Sequence, residues 1–537
     1  MRGWRRWRES DGWIRGLIVT GVLILPAILS YAGPQPPAAA VGRDYAYVAR
    51  GPALADWTEQ AKLIPVAGAP NDNFGYSASI NGNYAIIGAI GDGNQSGAAY
   101  IFVHDAGGWT EQAKLTARGR APGDIFGHSV SVSGDTAIIG VPGDTDSGAN
   151  AGAAYIFVRD RDTWSEQAKL TARDGIAGDQ FGWRVSISGD TAMVGAIGDD
   201  DNGTSSGSVY VFVRDEGTWT EQLKLAAGDG SAGDRFGWRV SISGDTAIVA
   251  ARGLEDENGD YSGSAYVFAR DAGGWTQQAR LSADDGTPSD RFGYSVAIGE
   301  DTAIIGAIGD DDNGNFSGSA YIFVRNGSNW TQQAKLSAGD GAAWDRFGYS
   351  VSINGDTAIV GAAGASGNVI NAGAAYVFVR SGETWTQQTK LTAGDGDELD
   401  QFGYSVSISG DTAVVGAIRD DDNGDSSGSA YVFQRPAATP TRTPSPMPSS
   451  TPTPTTTPPA PTTTPTATST SPPRLNYLPL IAHQWRQPSR TLLPTTTEIL
   501  IPTLPPPTRL SREGVRRNLP RSASSGLSNC RLTCLPD

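Results

Sequence analysis

The chain is poor in the residues that most metal and redox chemistry uses. Its 537 residues include two cysteines, three histidines and three methionines, and 18% are charged. Two cysteines cannot build a disulfide scaffold or a multi-zinc array. Three histidines leave little for a histidine-rich metal enzyme. Positive charge is also scarce: 41 Lys and Arg against 57 Asp and Glu give −16. Phosphate backbones repel such a chain, so nucleic acid is not an expected partner. The central region lacks a helical period, which excludes amphipathic helices there. What is plentiful is glycine, at 69 residues, and proline, at 32.

Charge divides the chain into three. Residues 1–56 carry +3, residues 57–435 carry −26 and residues 436–537 carry +7. In the first part, Arg2, Arg5, Arg6, Arg8 and Arg15 precede an apolar run from Leu17 to Leu29, and Ser30-Tyr31-Ala32 ends it. This pattern predicts an export signal over 1–32, followed by an extended segment over 33–56. A retained N-terminal anchor is the other reading. Residues 436–474 are almost entirely Pro, Thr, Ser and Ala, a composition with too little to bury, and are expected to form a disordered spacer. Residues 475–537 form a basic tail. It opens on the apolar motif Leu475 to Ile481, a candidate sorting or attachment tag, and contains Cys530 and Cys534, whose role the sequence does not define.

The acidic middle repeats. Phe-Gly pairs stand at Phe74, Phe126, Phe181, Phe236, Phe292, Phe347 and Phe402, at spacings of 52 to 56 residues. Tryptophans at Trp57, Trp109, Trp164, Trp219, Trp275, Trp330 and Trp385 keep the same intervals. A period near 50 means a solenoid or a propeller. In the third copy, Phe181–Ser188, Thr191–Ala196, Val209–Val213 and Trp219–Leu225 each read as a strand, with Gly189-Asp190 as a hairpin turn. Strict alternation would put Phe181, Trp183, Val185 and Ile187 on one face, with the small Gly182, Ser186 and Ser188 seated on the next unit. Seven units of four strands predict an all-β, seven-bladed propeller over 57–435 with antiparallel blades. A Trp-type strand precedes the first Phe-Gly pair and none follows Phe433. The N-terminal strand is therefore expected to be the outermost strand of the last blade, closing the ring. Ala46–Arg50 reads as a leftover extended segment.

Phe292-Gly293-Tyr294-Ser295-Val296 with Ile305-Gly306-Ala307, and the matching residues from Phe402 to Ala417, resemble FG-GAP repeats, the unit of the integrin α-subunit propeller. Gly140-Val141-Pro142 matches the proline variant. The resemblance covers roughly 57–435. It implies extracellular binding or adhesion. With the export pattern, the loops and the spacer, the expectation is a monomeric secreted or cell-surface propeller that meets protein or glycan ligands through its loops, with membrane contact only through a retained N-terminal anchor or C-terminal attachment. The resemblance would place calcium between the Phe-Gly and Gly-Ala strands, but that connection is here only Ser-Gly-Asp-Thr or similar, too few oxygens for the ion.

Acidic runs lie one hairpin later instead: Asp199, Asp201 and Asn202; Asp310, Asp312 and Asn313; Asp420, Asp422 and Asn423; and Glu255 to Asp260 in the fourth unit. Two readings stand for them, a calcium loop or a solvated hairpin held by its own Asp and Asn side chains. Arg184 and Arg239 replace the serine found at Ser77, Ser129, Ser295, Ser350 and Ser405. They are either a grip for a carboxylate or sulfate, or partners for the acidic excess. No nucleophile elbow, phosphate loop or His-Glu-x-x-His is present, so no catalytic residue is assigned and a binding protein is expected. A secreted hydrolase or lyase acting on polysaccharide, or a passive envelope protein, is the alternative.

Overall fold

The computed structural model describes residues 56–436, except 254, 257, 258, 367 and 368. The export signal, Ala46–Arg50, most of the spacer, the tail with Cys530 and Cys534, and Glu257 and Asn258 of the fourth acidic run lie outside the described residues. The regular structure of the described residues is almost entirely strand. Seven four-stranded antiparallel sheets follow one another, and a two-stranded hairpin (Glu255–Asp256 with Gly259–Asp260) decorates the fourth. The only helix among the described residues is one turn, Asp92–Gln95. In the third blade the strands are Phe181–Ser188, Thr191–Ala196, Ser208–Asp215 and Thr218–Leu225, paired in that order from the axis outward.

The ring closes through its first strand. Thr58–Leu63 pairs antiparallel with Ser429–Gln434, Thr58 opposite Gln434 and Leu63 opposite Ala430. The seventh blade is therefore made from both ends of the propeller, and two strand edges that would otherwise be open are hydrogen-bonded.

Both glycine motifs are explained by one contact. The register of the innermost strand slips between Phe181 and Arg184, a bulge at which Gly182 takes φ +90. A Cβ on Gly195, the glycine of the Gly-Ala motif, would lie 2.5 Å from the carbonyl oxygen of Gly237 in the next blade. The Gly-Ala glycine of one blade thus faces the Phe-Gly glycine of the next, where the sheets approach closely, and only the fourth blade carries a methyl there, on Ala250.

The bulge also corrects the alternation expected from the sequence. Phe181, Val185 and Ile187 enter the core between blades, but Trp183 turns away from it toward the axis. The small face does more than make room. Ser131 Oγ accepts the backbone N–H of Ile187 at 3.2 Å, and Ser186 Oγ accepts that of Ile242 at 3.1 Å. These serines satisfy inner-strand amides that have no strand partner, and they join blade to blade. At the opposite end of the strands, Arg214 Nη2 is 2.6 Å from Asp190 within its blade, while Nη1 donates to Thr136 of the preceding blade at 2.9 Å. Arg270, Arg325 and Arg380 repeat the pattern.

Candidate functional site

The residue after each Phe-Gly pair stands at the axis: in five blades the bulge rotates it out of the core, and in the second and sixth it lies just before the innermost strand. The seven residues form a closed aromatic circle. Ring centroids are 5.2 Å apart for Tyr76–His128, 4.5 Å for His128–Trp183, 5.5 Å for Trp183–Trp238 and 6.3 Å for Trp238–Tyr294. The circle continues through Tyr294–Tyr349 at 5.1 Å and Tyr349–Tyr404 at 4.9 Å, and returns to Tyr76 at 5.3 Å. Burial, with the neighbouring hydroxyls of Tyr404 and Tyr294, holds Tyr349 well above the ordinary tyrosine range.

The sequence-predicted arginines sit within this circle. Arg184 Nη1 donates to the carbonyl oxygens of Trp183 at 3.0 Å and His128 at 3.3 Å. Arg239 lies 5.6 Å from the Trp238 ring and 5.5 Å from that of Tyr294. Burial, then the charge of Arg239, pushes Arg184 down to about 10. Of the two roles the sequence left open, pairing with the acidic excess is not what the structure shows: among the described residues neither arginine has a carboxylate partner. A third arginine, Arg252, stacks 4.6 Å from Trp238. Sequence reasoning missed it, although it is legible as a departure, since Ile197, Ile308 and Ile418 hold the same position in other blades.

His128 occupies the aromatic position of the second blade and is buried. Burial, then the Arg184 charge, holds it well below the ordinary histidine range. Its Nδ1 lies 2.9 Å from Trp183 O and 3.0 Å from Arg184 Nη1, and its Nε2 lies 3.2 Å from the Tyr76 hydroxyl. His104, the other histidine among the described residues, lies at the end of the strand Ala98–Asp105. It stacks on Trp109 at 5.1 Å.

The acidic loops gather on the face where the innermost strands begin, and those of the third, fifth and seventh blades are each organised by a lysine from the outermost strand. Lys224 Nζ lies 2.5 Å from Asp199, 2.6 Å from Asp201 and 3.0 Å from Asp174. Lys335 meets Asp310 at 2.8 Å, Asp312 at 2.6 Å and Asp285 at 2.7 Å. Lys62, from the closing strand, meets Asp420 at 2.8 Å, Asp422 at 2.5 Å and Asp395 at 2.8 Å. Tyr210, Tyr321 and Tyr431 donate to the buried Asp199, Asp310 and Asp420 at 3.0, 2.8 and 2.7 Å. Burial works against the Lys224 charge, but bonds to its three aspartates outweigh it and raise the ammonium well above the usual lysine range. Asn202, Asn313 and Asn423 contribute through their backbone N–H groups, each donating to a serine hydroxyl at 3.2 Å. The carboxylates proposed as calcium ligands therefore already face a cation of the chain itself. Among the described residues no group of three or more His, Cys, Asp or Glu is arranged to hold a metal.

The same face carries a cavity of about 310 Å³ at the sixth and seventh blades, lined by Trp344, Arg346, Tyr349, Asn371, Gln401 and Tyr404 among others. Trp344 is 52% exposed and stacks on Phe316 at 5.2 Å, with the rings 4° from parallel. Ile370 and Leu399, which are also exposed, are neighbours through the bond from Leu399 N to Ile370 O at 3.0 Å. The loops entering a blade bond to the acidic or equivalent loop of the preceding blade, so these apolar residues share one face.

A search of curated proteins found no match. Among solved structures, the crystal structure of Saccharomyces cerevisiae Sqt1 is similar over 71% of this chain and 99% of that one, with 11% identity and a TM-score of 0.38. The FG-GAP repeat model matches seven segments: 57–102, 109–157, 164–212, 219–268, 275–323, 330–378 and 385–433. With more than half of its length matched, each segment running from the outermost strand of one blade through three strands of the next, the chain belongs to the FG-GAP repeat family.

Proposed function

We propose that this propeller is a non-enzymatic binding module, exported and held at or near the cell surface, which recognises protein or glycan ligands through the loops of its acidic face. The FG-GAP propeller supports a binding or adhesion-type role, and the family is generally non-enzymatic. The observation that carries the finer reading is the Trp344 cavity. Exposed aromatic and aliphatic side chains are concentrated there beside Arg346, Asn371 and Gln401, the mixture of apolar platform and polar handles that binding sites use. The Arg-rich leader motif supports export, and the Pro/Thr-rich spacer supports a tether that holds the propeller away from its attachment. A single propeller acting as a monomer is sufficient for this role.

Full-length protein screened on glycan and matrix-protein arrays tests the reading. Saturable binding that Trp344→Ala weakens at least tenfold, with the melting temperature unchanged, is the expected result. Binding indifferent to Trp344→Ala, or turnover of a bound polysaccharide, would overturn it.

A further inference from the structure

We propose that the propeller axis is an oxyanion site in which Arg184 and Arg239 grip a carboxylate, sulfate or phosphate group, with Trp183 and Trp238 beside them. The first observation is charge left without a partner. Arg214, Arg270, Arg325 and Arg380 each have an aspartate at 2.6 Å. Arg184 and Arg239, in the same strongly acidic propeller, have none among the described residues, yet they lie side by side inside a closed aromatic circle. Neighbouring cations shielded from water are unfavourable unless an anion joins them.

The second observation concerns donors. Arg239 Nη1, Trp183 Nε1 and Trp238 Nε1 are buried with no hydrogen-bond partner. Trp238 is 8% exposed, so most of its surface is closed to water. One of these unmet donors belongs to the arginine pair and the other two to the tryptophans beside it, whose rings lie 5.9 Å from Arg184 and 5.6 Å from Arg239, and a group rich in acceptor oxygens is what such donors lack. Guanidinium matches planar or tetrahedral oxyanions by its fork of N–H groups, and indole adds a single donor.

The third observation is what the two arginines replace. Ser77, Ser295, Ser350 and Ser405 each donate to a glycine carbonyl of the next blade, at 2.7 to 2.8 Å. Arg184 and Arg239 do not make that bond, so two adjacent blade junctions lack it in order to present guanidinium at the axis. Arg252 adds a third positive charge beside Trp238. Neither Arg184 nor Arg239 lines the Trp344 cavity, so the oxyanion site and the loop-face reading fail or stand separately.

The test is calorimetric titration of the full-length protein with sodium sulfate, inorganic phosphate and sodium glucuronate, each against chloride at matched ionic strength. Saturable one-to-one binding of at least one probe is expected. Its affinity should fall at least tenfold in the Arg184→Ser, Arg239→Ser double variant, which restores the residue used by the other blades. The preferred probe identifies the source: glucuronate an acidic glycan, sulfate a sulfated one, phosphate a phosphoryl group. Absence of saturable binding by all three probes to the native protein overturns the proposal, whatever the variants do. Equal binding by native protein and a folded double variant also overturns it. Where the double variant fails to fold by circular dichroism, Arg239→Ser alone supplies the comparison.

Discussion

Lys224 Nζ and the buried carboxylate of Asp199 meet at 2.5 Å, the ammonium arriving from the outermost strand of a blade and the carboxylate from its acidic loop. The same pairing recurs as Lys335 with Asp310 and Lys62 with Asp420. Removing the lysine leaves a buried carboxylate beside two others. Loss of one partner from a buried pair costs about 3–5 kcal/mol, and the partial exposure of this lysine brings the expectation down to about 2 kcal/mol. Lys335→Met should therefore lower the free energy of unfolding by that amount, read from denaturant titration. Millimolar calcium should restore part of the loss, since Asp285, Asp310 and Asp312 then lack a cation. Native protein should melt alike with calcium and with chelator; a shift in the native protein would show that the loops take the ion despite their lysines.

His128 gives the propeller a sign-definite response to acid. Its folded pKa lies below the unfolded value of about 6.5, so at lower pH the unfolded chain binds a proton that the folded chain refuses. Stability is unaffected above about pH 6.5 and declines below it. At pH 5 the loss from this residue is at most about 2 kcal/mol, the limit set by the unfolded value alone. His128→Tyr, which installs the residue used by four other blades, should remove that component. The difference between native and variant stability, measured at pH 7.5 and pH 5, isolates it, because buried carboxylates such as Asp290 and Asp400, raised by burial, act in the opposite direction in both proteins.

The repeat made the architecture legible. Alternating residues, hairpin turns and two markers keeping one interval fix four strands per blade and seven blades, and the unmatched Trp57 strand fixes the closure. The axis was harder to read. Period-two alternation puts Trp183 with Val185 in the core, and only the bulge at positive-φ Gly182, a three-dimensional event, turns it to the channel. The acidic runs were visible as charge, but their counter-ion was not. Lys224 lies 23 residues beyond Asp201 and 50 beyond Asp174, and only the folded blade brings the three together. Arg184 and Arg239 stood out because a repeat makes every departure conspicuous. Whether they met acid or stood unpaired depended on which residues share the axis.

Glycine at the blade junction has a measurable consequence. A Cβ on Gly195 would press on the Gly237 carbonyl, whereas the fourth blade already carries Ala250 there, with its Cβ 3.1 Å from the position a Cβ on Gly293 would take. Gly195→Ala should destabilise by about 1–3 kcal/mol, as overpacking does. Ala250→Gly should stay within about 1 kcal/mol, since Gly306, Gly361 and Gly416 show that the junction closes well without the methyl. Urea midpoints of the two variants provide the comparison, and equal losses would refute the junction argument.

The closing strand combines two functions that separate variants can pull apart. Thr58–Leu63 supplies main-chain pairing to Ser429–Gln434, and Lys62 within it supplies the cation for Asp395, Asp420 and Asp422. Lys62→Met removes the charge and keeps the strand, so its loss should match that of Lys335→Met. Deleting residues 57–63 removes both and exposes the edge of Tyr431-Val432-Phe433, now three apolar residues with unpaired amides. That protein should lose far more than the point variant. Amide exchange should accelerate in Ser429–Gln434 before it does in the third blade, and size-exclusion chromatography should show self-association through the open edge. If the deletion melted at the same temperature as Lys62→Met, the strand would be a source of charge alone and the ring would hold without its latch.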